Sequence, residues 1–184
     1  CPSSPRTTVI ADVLERRHGR PDLVLVGFRL WVHGRQFPAK QDYYDGNWLT
    51  ISACCEAEGG LAWIERRPCM ETHALERWLG QLRKLLDGER SKARLVPQEP
   101  DLFLEVTPVP ALPEPVRFGV TISFMPHSRP IAQDHEFHFE VGRLDLERLV
   151  SQTERRLRDY PVRGIRDWDD SDRLREALRP RESQ

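Results

Sequence analysis

The sequence predicts an α+β fold: an antiparallel, meander-like sheet, curled or in a sandwich, with two main helices packed against it. Three observations carry that expectation. Strand-like alternation is strict in two places, at Val26, Phe28, Leu30, Val32 and at Val116, Phe118, Val120, Ile122, Phe124. A continuous helical stripe runs through Ala74, Leu75, Trp78, Leu79, Leu82, Leu85 and Leu86. The order is strands, helix, strands, helix, with no repeated strand–helix–strand unit, which favours an antiparallel sheet over a parallel one.

Taken in order, residues 1–6 are rich in Pro and Ser, and fraying is expected there. Thr7 to His18 places Val9, Ile10, Val13 and Leu14 at helical spacing, and Gly19 and Pro21 stop the helix. The first strand is expected from Leu23 to His33. A polar loop rich in Gly and Pro follows to Tyr44, and a second strand is expected from Trp48 to Ala57. The Glu58-Gly59-Gly60-Leu61 turn leads into a short third strand, Leu61 to Arg66.

The main helix is expected from Thr72 to Asp87, with Thr72 as N-cap and Gly88 just past its end. Short strands are expected at Ala93–Val96 and Leu102–Val106. Thr107 to Pro115 holds four prolines and reads as a loop. Val116 to Phe124 pairs with His135 to Val141. Asp145 caps a second helix to about Asp159, ended by Pro161, and Ser171 to Leu178 is a short helical stretch. The expected core is Val26, Phe28, Leu30, Ile51, Trp78, Leu82, Phe118, Val120, Ile122, Phe137, Phe139 and Leu149. No internal repeat of 20–50 residues is visible.

With 184 residues the chain fits one domain, 1–184, with a core over 7–164 and an appendage over 165–184. Charged residues make up 31%, but the net charge is only −1, so no global field draws the chain to nucleic acid or membrane. No apolar run approaches the ~20 residues of a membrane-spanning helix. Four cysteines are too few for a disulfide scaffold, and a reducing cytosol is the default expectation. Adjacent Cys54 and Cys55 point to opposite faces of a strand. Cys1 fits a lipid-bearing cysteine, a residue left by Met removal or a trimmed end, and the expectation is against the lipoprotein.

The chemistry-bearing patterns are few. His135-Glu136-Phe137-His138-Phe139-Glu140 invites a metal reading, but strand period sends His135 and His138 to opposite faces. Cys69 and His73 have helical spacing, with no second ligand pair nearby. Dinucleotide, P-loop and nucleophile-elbow motifs are absent. No catalytic residues, cofactor or metal are therefore expected. An enzyme or ligand-binding accessory domain would need a site built from distant residues such as His33, Asp45 and His135.

Two stretches have the composition of binding surfaces. Asp42, Tyr43, Tyr44 and Asp45 lie just before Gly46-Asn47-Trp48-Leu49, where a turn opens a strand, and rigid amphipathic side chains on loops favour recognition. The alternative is a buried hairpin corner, with Trp48 in the core, Tyr44 over the edge and Asp45 satisfying the turn, and Asn47 can bond nearby backbone. Asp167, Trp168, Asp169 and Asp170 put acids around one indole, suited to a basic partner; the alternative is the charged N-terminus of a helix.

Several of these features occur together in one family. Trp31-Val32-His33-Gly34, Phe37-Pro38, Asp42 to Leu49, the helix after a hairpin, the histidine-rich strand, and Tyr160-Pro161-Val162-Arg163-Gly164 follow in order. Together they resemble the WapI-type immunity proteins of bacterial polymorphic-toxin systems, over about Leu23 to Gly164. The resemblance implies a non-enzymatic cytoplasmic antitoxin whose partner is the C-terminal domain of a secreted toxin. It supplies no catalytic residues and leaves the oligomeric state open. Asp42, Tyr43, Tyr44, Asp45, Asp167, Trp168, Asp169 and Asp170 are the expected partner-binding residues.

Overall fold

The computed structural model describes residues 9–57, 59–109, 117–125, 127–128 and 131–165, with the side chains of residues 9, 127, 128, 131 and 132 excepted. Two antiparallel four-stranded sheets are each followed by a helix. A short helix α1 (Val9–His18) leads into β1 (Leu23–Leu25), β2 (Phe28–Arg35), β3 (Trp48–Ala57) and β4 (Gly60–Glu71), then α2 (Thr72–Leu86). The second half has β5 (Ala93–Leu95), β6 (Leu102–Val109), β7 (Arg117–Phe124), a small hairpin of β8 (His127–Ser128) and β9 (Ile131–Ala132), and β10 (His135–Gly142), then α3 (Arg143–Asp159). Strand orders are β1-β2-β3-β4 and β10-β7-β6-β5. Both sheets are meanders, and the two halves share a plan of four strands and a helix that no side-chain repeat advertises.

One core joins the two halves. Phe28, Leu30, Ile51, Trp78, Leu82, Phe118, Val120, Ile122, Phe137 and Leu149 are all buried in it, as their register predicts. Phe139 packs against the core but is only half buried. Phe28 of the first sheet lies 6.4 Å, ring to ring, from Phe124 of the second. On the opposite face of the first sheet, α1 covers Trp31 and Cys54 with Ala11 and Leu14. Cys54 and Cys55 therefore do face opposite sides, Cys55 in the main core and Cys54 under α1.

Several expected boundaries are corrected. The first strand is a hairpin: Leu23 pairs with Leu30, and the chain turns at Val26 and Gly27. Val26 takes φ 50° and is 55% exposed, so it does not belong to the core. Gly27 explains the turn: a Cβ there would sit 1.9 Å from the Glu56 carbonyl oxygen. A close approach of two backbones outweighs the alternation that placed Val26 inside.

The third strand runs to Glu71 rather than Arg66 because β4 absorbs two irregularities. Register shifts lie opposite Ser52 and at Cys69. Ser52 Oγ accepts the Arg66 N–H at 3.0 Å, which satisfies the bulge. Pro68 sits on an outer strand, where a missing N–H is tolerated. Likewise β6 continues through Thr107, Pro108 and Val109, which pair with Gly119, Phe118 and Arg117. β5 ends opposite Val106 at Ala93, so beyond that point β6 pairs only with β7 among the described residues.

Thr72 is the first helical residue of α2 rather than its N-cap, which is Glu71. Past the other end, Glu89 N–H bonds Lys84 C=O and Gly88 N–H bonds Leu85 C=O, a Schellman closure with Gly88 at φ 76°. α3 begins at Arg143 with Gly142 as its cap, and Asp145 acts from the first turn by accepting the Gly142 N–H at 3.1 Å. The expected helix over Ser171–Leu178, and Val116, lie outside the described residues.

Candidate functional site

The site is built on the chain between β2 and β3, and its centre is Asn47. Residues Asp45–Asn47 form a single 3₁₀ turn that delivers the chain into β3. Asn47 is fully buried and uses both ends of its amide. Its Nδ2 donates to the carbonyls of Tyr43 (2.6 Å) and Arg163 (2.9 Å). Its Oδ1 accepts the Thr72 hydroxyl (2.5 Å) and the Arg163 N–H (2.9 Å). One side chain thus ties the loop, the start of α2 and the segment after α3. Two arginines complete the clasp. Arg35 donates to the carbonyls of Gly46 and Pro161. Arg163 donates to those of Pro38 (2.8 Å) and Lys40 (2.7 Å).

On this frame the four expected loop residues take different roles. Asp42 Oδ1 accepts the N–H of Asp45 (2.7 Å) and of Tyr44 (3.0 Å), closing the loop on itself. Those bonds, the Asp45 N–H first, hold the Asp42 carboxyl below its ordinary pKa. Asp45 opens the 3₁₀ turn, and its carboxylate lies 3.6 Å from Lys40 Nζ. Tyr43 is half buried and stacks on His73 of α2, with centroids 4.7 Å apart. Tyr44 meets Tyr43 edge-on at 5.6 Å and is 49% exposed. Of the two tyrosines, Tyr44 is the one that this loop presents. Asp167, Trp168, Asp169 and Asp170 lie outside the described residues.

The structure adds neighbours that composition did not single out. A cleft of about 340 Å³ beside the loop is lined by Phe37, Trp48, Arg67, Glu99 and Asp101, among others. Phe37 is 39% exposed, and Trp48 is half buried rather than in the core. Arg67 Nε pairs with Asp101 at 3.0 Å across the cleft. The Phe37-Pro38 dipeptide was the one available signal. Glu99 and Asp101 come from the far side of α2, and nothing local in sequence joins them to the loop.

The residues of the alternative enzyme site are not assembled. His33 Nε2 bonds Ser52 Oγ at 2.7 Å, under α1. Ser52 is fully buried and also takes the Arg66 N–H, so it presents no nucleophile. His135 bonds Gln133 at the second sheet, and Asp45 pairs with Lys40. Register keeps His135 on the side of Phe137, and His138 on the other with Glu136 and Glu140. There His138 bonds Glu136 at 2.8 Å and Glu140 pairs with Arg117, so the three do not converge. Among the described residues no three His, Cys, Asp or Glu side chains are grouped as metal ligands.

Burial pushes the Cys54 thiol up to about 11, and Cys55 and Cys69 up to about 12. The thiolate fraction at pH 7 then drops from about one in a hundred to about one in ten thousand or fewer. In a Cys1→Ser chain, native protein is expected to resist a disulfide-exchange reagent, while denatured protein titrates three thiols. A thiol that reacts at the denatured rate in native protein would contradict the burial of these cysteines.

No helix among the described residues is long and apolar enough to cross a membrane. A search of curated proteins returns no match. Among solved structures, trypanosoma bruciei MRP1/MRP2 is similar at 16% identity, over 82% of this chain and 94% of that one, with a TM-score of 0.38, too low to carry an argument. The family model of the Immunity protein WapI-like family matches residues 25–161, a span that contains the whole loop, the cleft beside it and Asn47. The chain belongs to the WapI-like immunity-protein family.

Proposed function

We propose that this protein acts in the cytoplasm as an antitoxin, binding a cognate toxin domain and blocking it by direct contact through the Phe37–Trp48 loop and its cleft. The observation that carries the reading is the family match over residues 25–161. The loop supports the choice of surface. It exposes Tyr44 and Phe37 on a backbone held by Asn47, Arg35 and Arg163. Aromatic anchors dominate interface energy, and a loop already held in place loses little entropy on binding.

The functional test is co-expression with a candidate toxin domain sought in the neighbouring reading frames. The antitoxin is expected to restore growth and to copurify with the toxin domain at fixed stoichiometry. Growth arrest despite expression of folded protein would reject the reading. Within it, Tyr44→Ala is expected to weaken toxin binding by about 2 kcal/mol while leaving thermal stability near wild type. Titration calorimetry measures the first and a melting curve the second. The acidic tail with Trp168 is the second proposed contact. A chain ending at Gly164 that keeps wild-type affinity and association rate would remove it.

A further inference from the structure

A second cleft lies between α2 and the chain that returns into β5, and its wall is basic. Arg77 and Gln81 stand four residues apart on one face of α2. The chain then turns back through Arg90 and Lys92, where Arg90 Nε donates to the Lys92 carbonyl at 3.3 Å. In β5, Ala93 and Leu95 are buried and Arg94 faces out. Gln81 Oε1 accepts the Arg94 N–H at 2.9 Å and fixes β5 against the helix. The result is a concavity of about 300 Å³, lined by Arg77, Gln81, Arg90, Lys92, Arg94 and Val96, with no carboxylate in its wall. Arg94 pairs with Glu105; Arg77, Arg90 and Lys92 make no ion pair among the described residues. In a chain of net charge −1 this is a local departure, and like charges around a concavity focus the field there.

Position gives the cleft a partner. The segment from Arg94 to Asp101 lines both clefts: Arg94 and Val96 the basic one, Glu99 and Asp101 the aromatic one. Between them Glu71 accepts the Gln98 N–H with both carboxylate oxygens, at 3.0 and 3.2 Å, and pins the strip. The seven Cα–Cα steps from Arg94 to Asp101 reach at most about 25 Å when extended. A standard interface of about 800 Å² per partner is about 30 Å across, so a single partner is wide enough to reach both clefts. Val96 is 54% exposed at the basic end, an apolar contact that suits a peptide better than a bare anion.

We propose that the basic cleft receives an acidic segment of the same toxin domain that the aromatic loop engages, so that the toxin footprint runs along residues 94–101. This rests on the immunity reading above. The experiment is association kinetics of the purified cognate toxin domain with full-length wild type and with Arg90→Glu, Lys92→Glu. Both side chains are exposed, so an unchanged melting curve is expected. The variant is expected to associate about tenfold more slowly at low ionic strength, with the gap closing at high salt. Wild-type binding with an unchanged rate and salt slope in the folded variant would overturn the basic cleft and leave the immunity reading standing. Absence of wild-type binding would overturn both.

Discussion

Asn47→Ala is expected to lower stability by about 3–5 kcal/mol, or roughly 10 °C in melting temperature. The reason is the count of groups left without a partner. The substitution strands the carbonyls of Tyr43 and Arg163, the Arg163 N–H and the Thr72 hydroxyl. A buried polar group left unsatisfied costs about 1–3 kcal/mol. Thr72 is fully buried and bears that in full, whereas Tyr43 and Arg163 are only half buried, so water recovers part of the loss. Asn47→Asp separates hydrogen bonding from shape. It is nearly isosteric, yet sets a carboxylate oxygen against two carbonyls, and at neutral pH it is expected to be as damaging as Ala. Denaturant unfolding measures both. A loss below about 1 kcal/mol for Asn47→Ala would mean that the loop and the segment after α3 are held by Arg35 and Arg163 alone.

This residue also marks how far the sequence was legible. Strand parity in β7 and β10 and the apolar stripe of α2 could be read because each is local: the neighbours that decide burial lie two to four residues away. The turn at Val26 was not, since the atom that forces it, the Glu56 carbonyl oxygen, is 29 residues from Gly27. Asn47 was legible as a residue that bonds nearby backbone, which it does to Tyr43. Its bonds to Thr72 and Arg163 are long-range, and they make the Asp-Gly-Asn-Trp-Leu string a structural motif as much as a recognition one. The same holds for the site. Tyr44 was legible by composition, whereas the basic cleft needed α2 and β5 side by side, and no single stretch of chain contains it.

Gly164→Ala is expected to cost about 2–3 kcal/mol of stability and on the order of 100-fold in toxin affinity. Two separate effects act there. Gly164 has φ 69°, where an L side chain costs about 1–2 kcal/mol. A Cβ at that position would also lie 2.4 Å from the Tyr43 nitrogen and 2.7 Å from the Asp42 carbonyl carbon. Both are backbone atoms, so relief requires the loop to move as a unit. Asp42 holds the N–H groups of Tyr44 and Asp45, so displacement at Asp42 carries Tyr44 with it. Gly88 supplies the control. It has φ 76° but nothing within 4 Å of a built Cβ. Gly88→Ala therefore carries the conformational cost alone, about 1 kcal/mol, and leaves the aromatic loop in place. Unfolding curves and binding isotherms on the two variants separate strain from displacement. If Gly164→Ala and Gly88→Ala lose equal stability and both keep wild-type affinity, the contact between Gly164 and Tyr43 neither positions the loop nor matters to the partner. If Gly164→Ala alone loses binding while remaining folded at the assay temperature, the position of the loop, and not merely its composition, is what the toxin recognises.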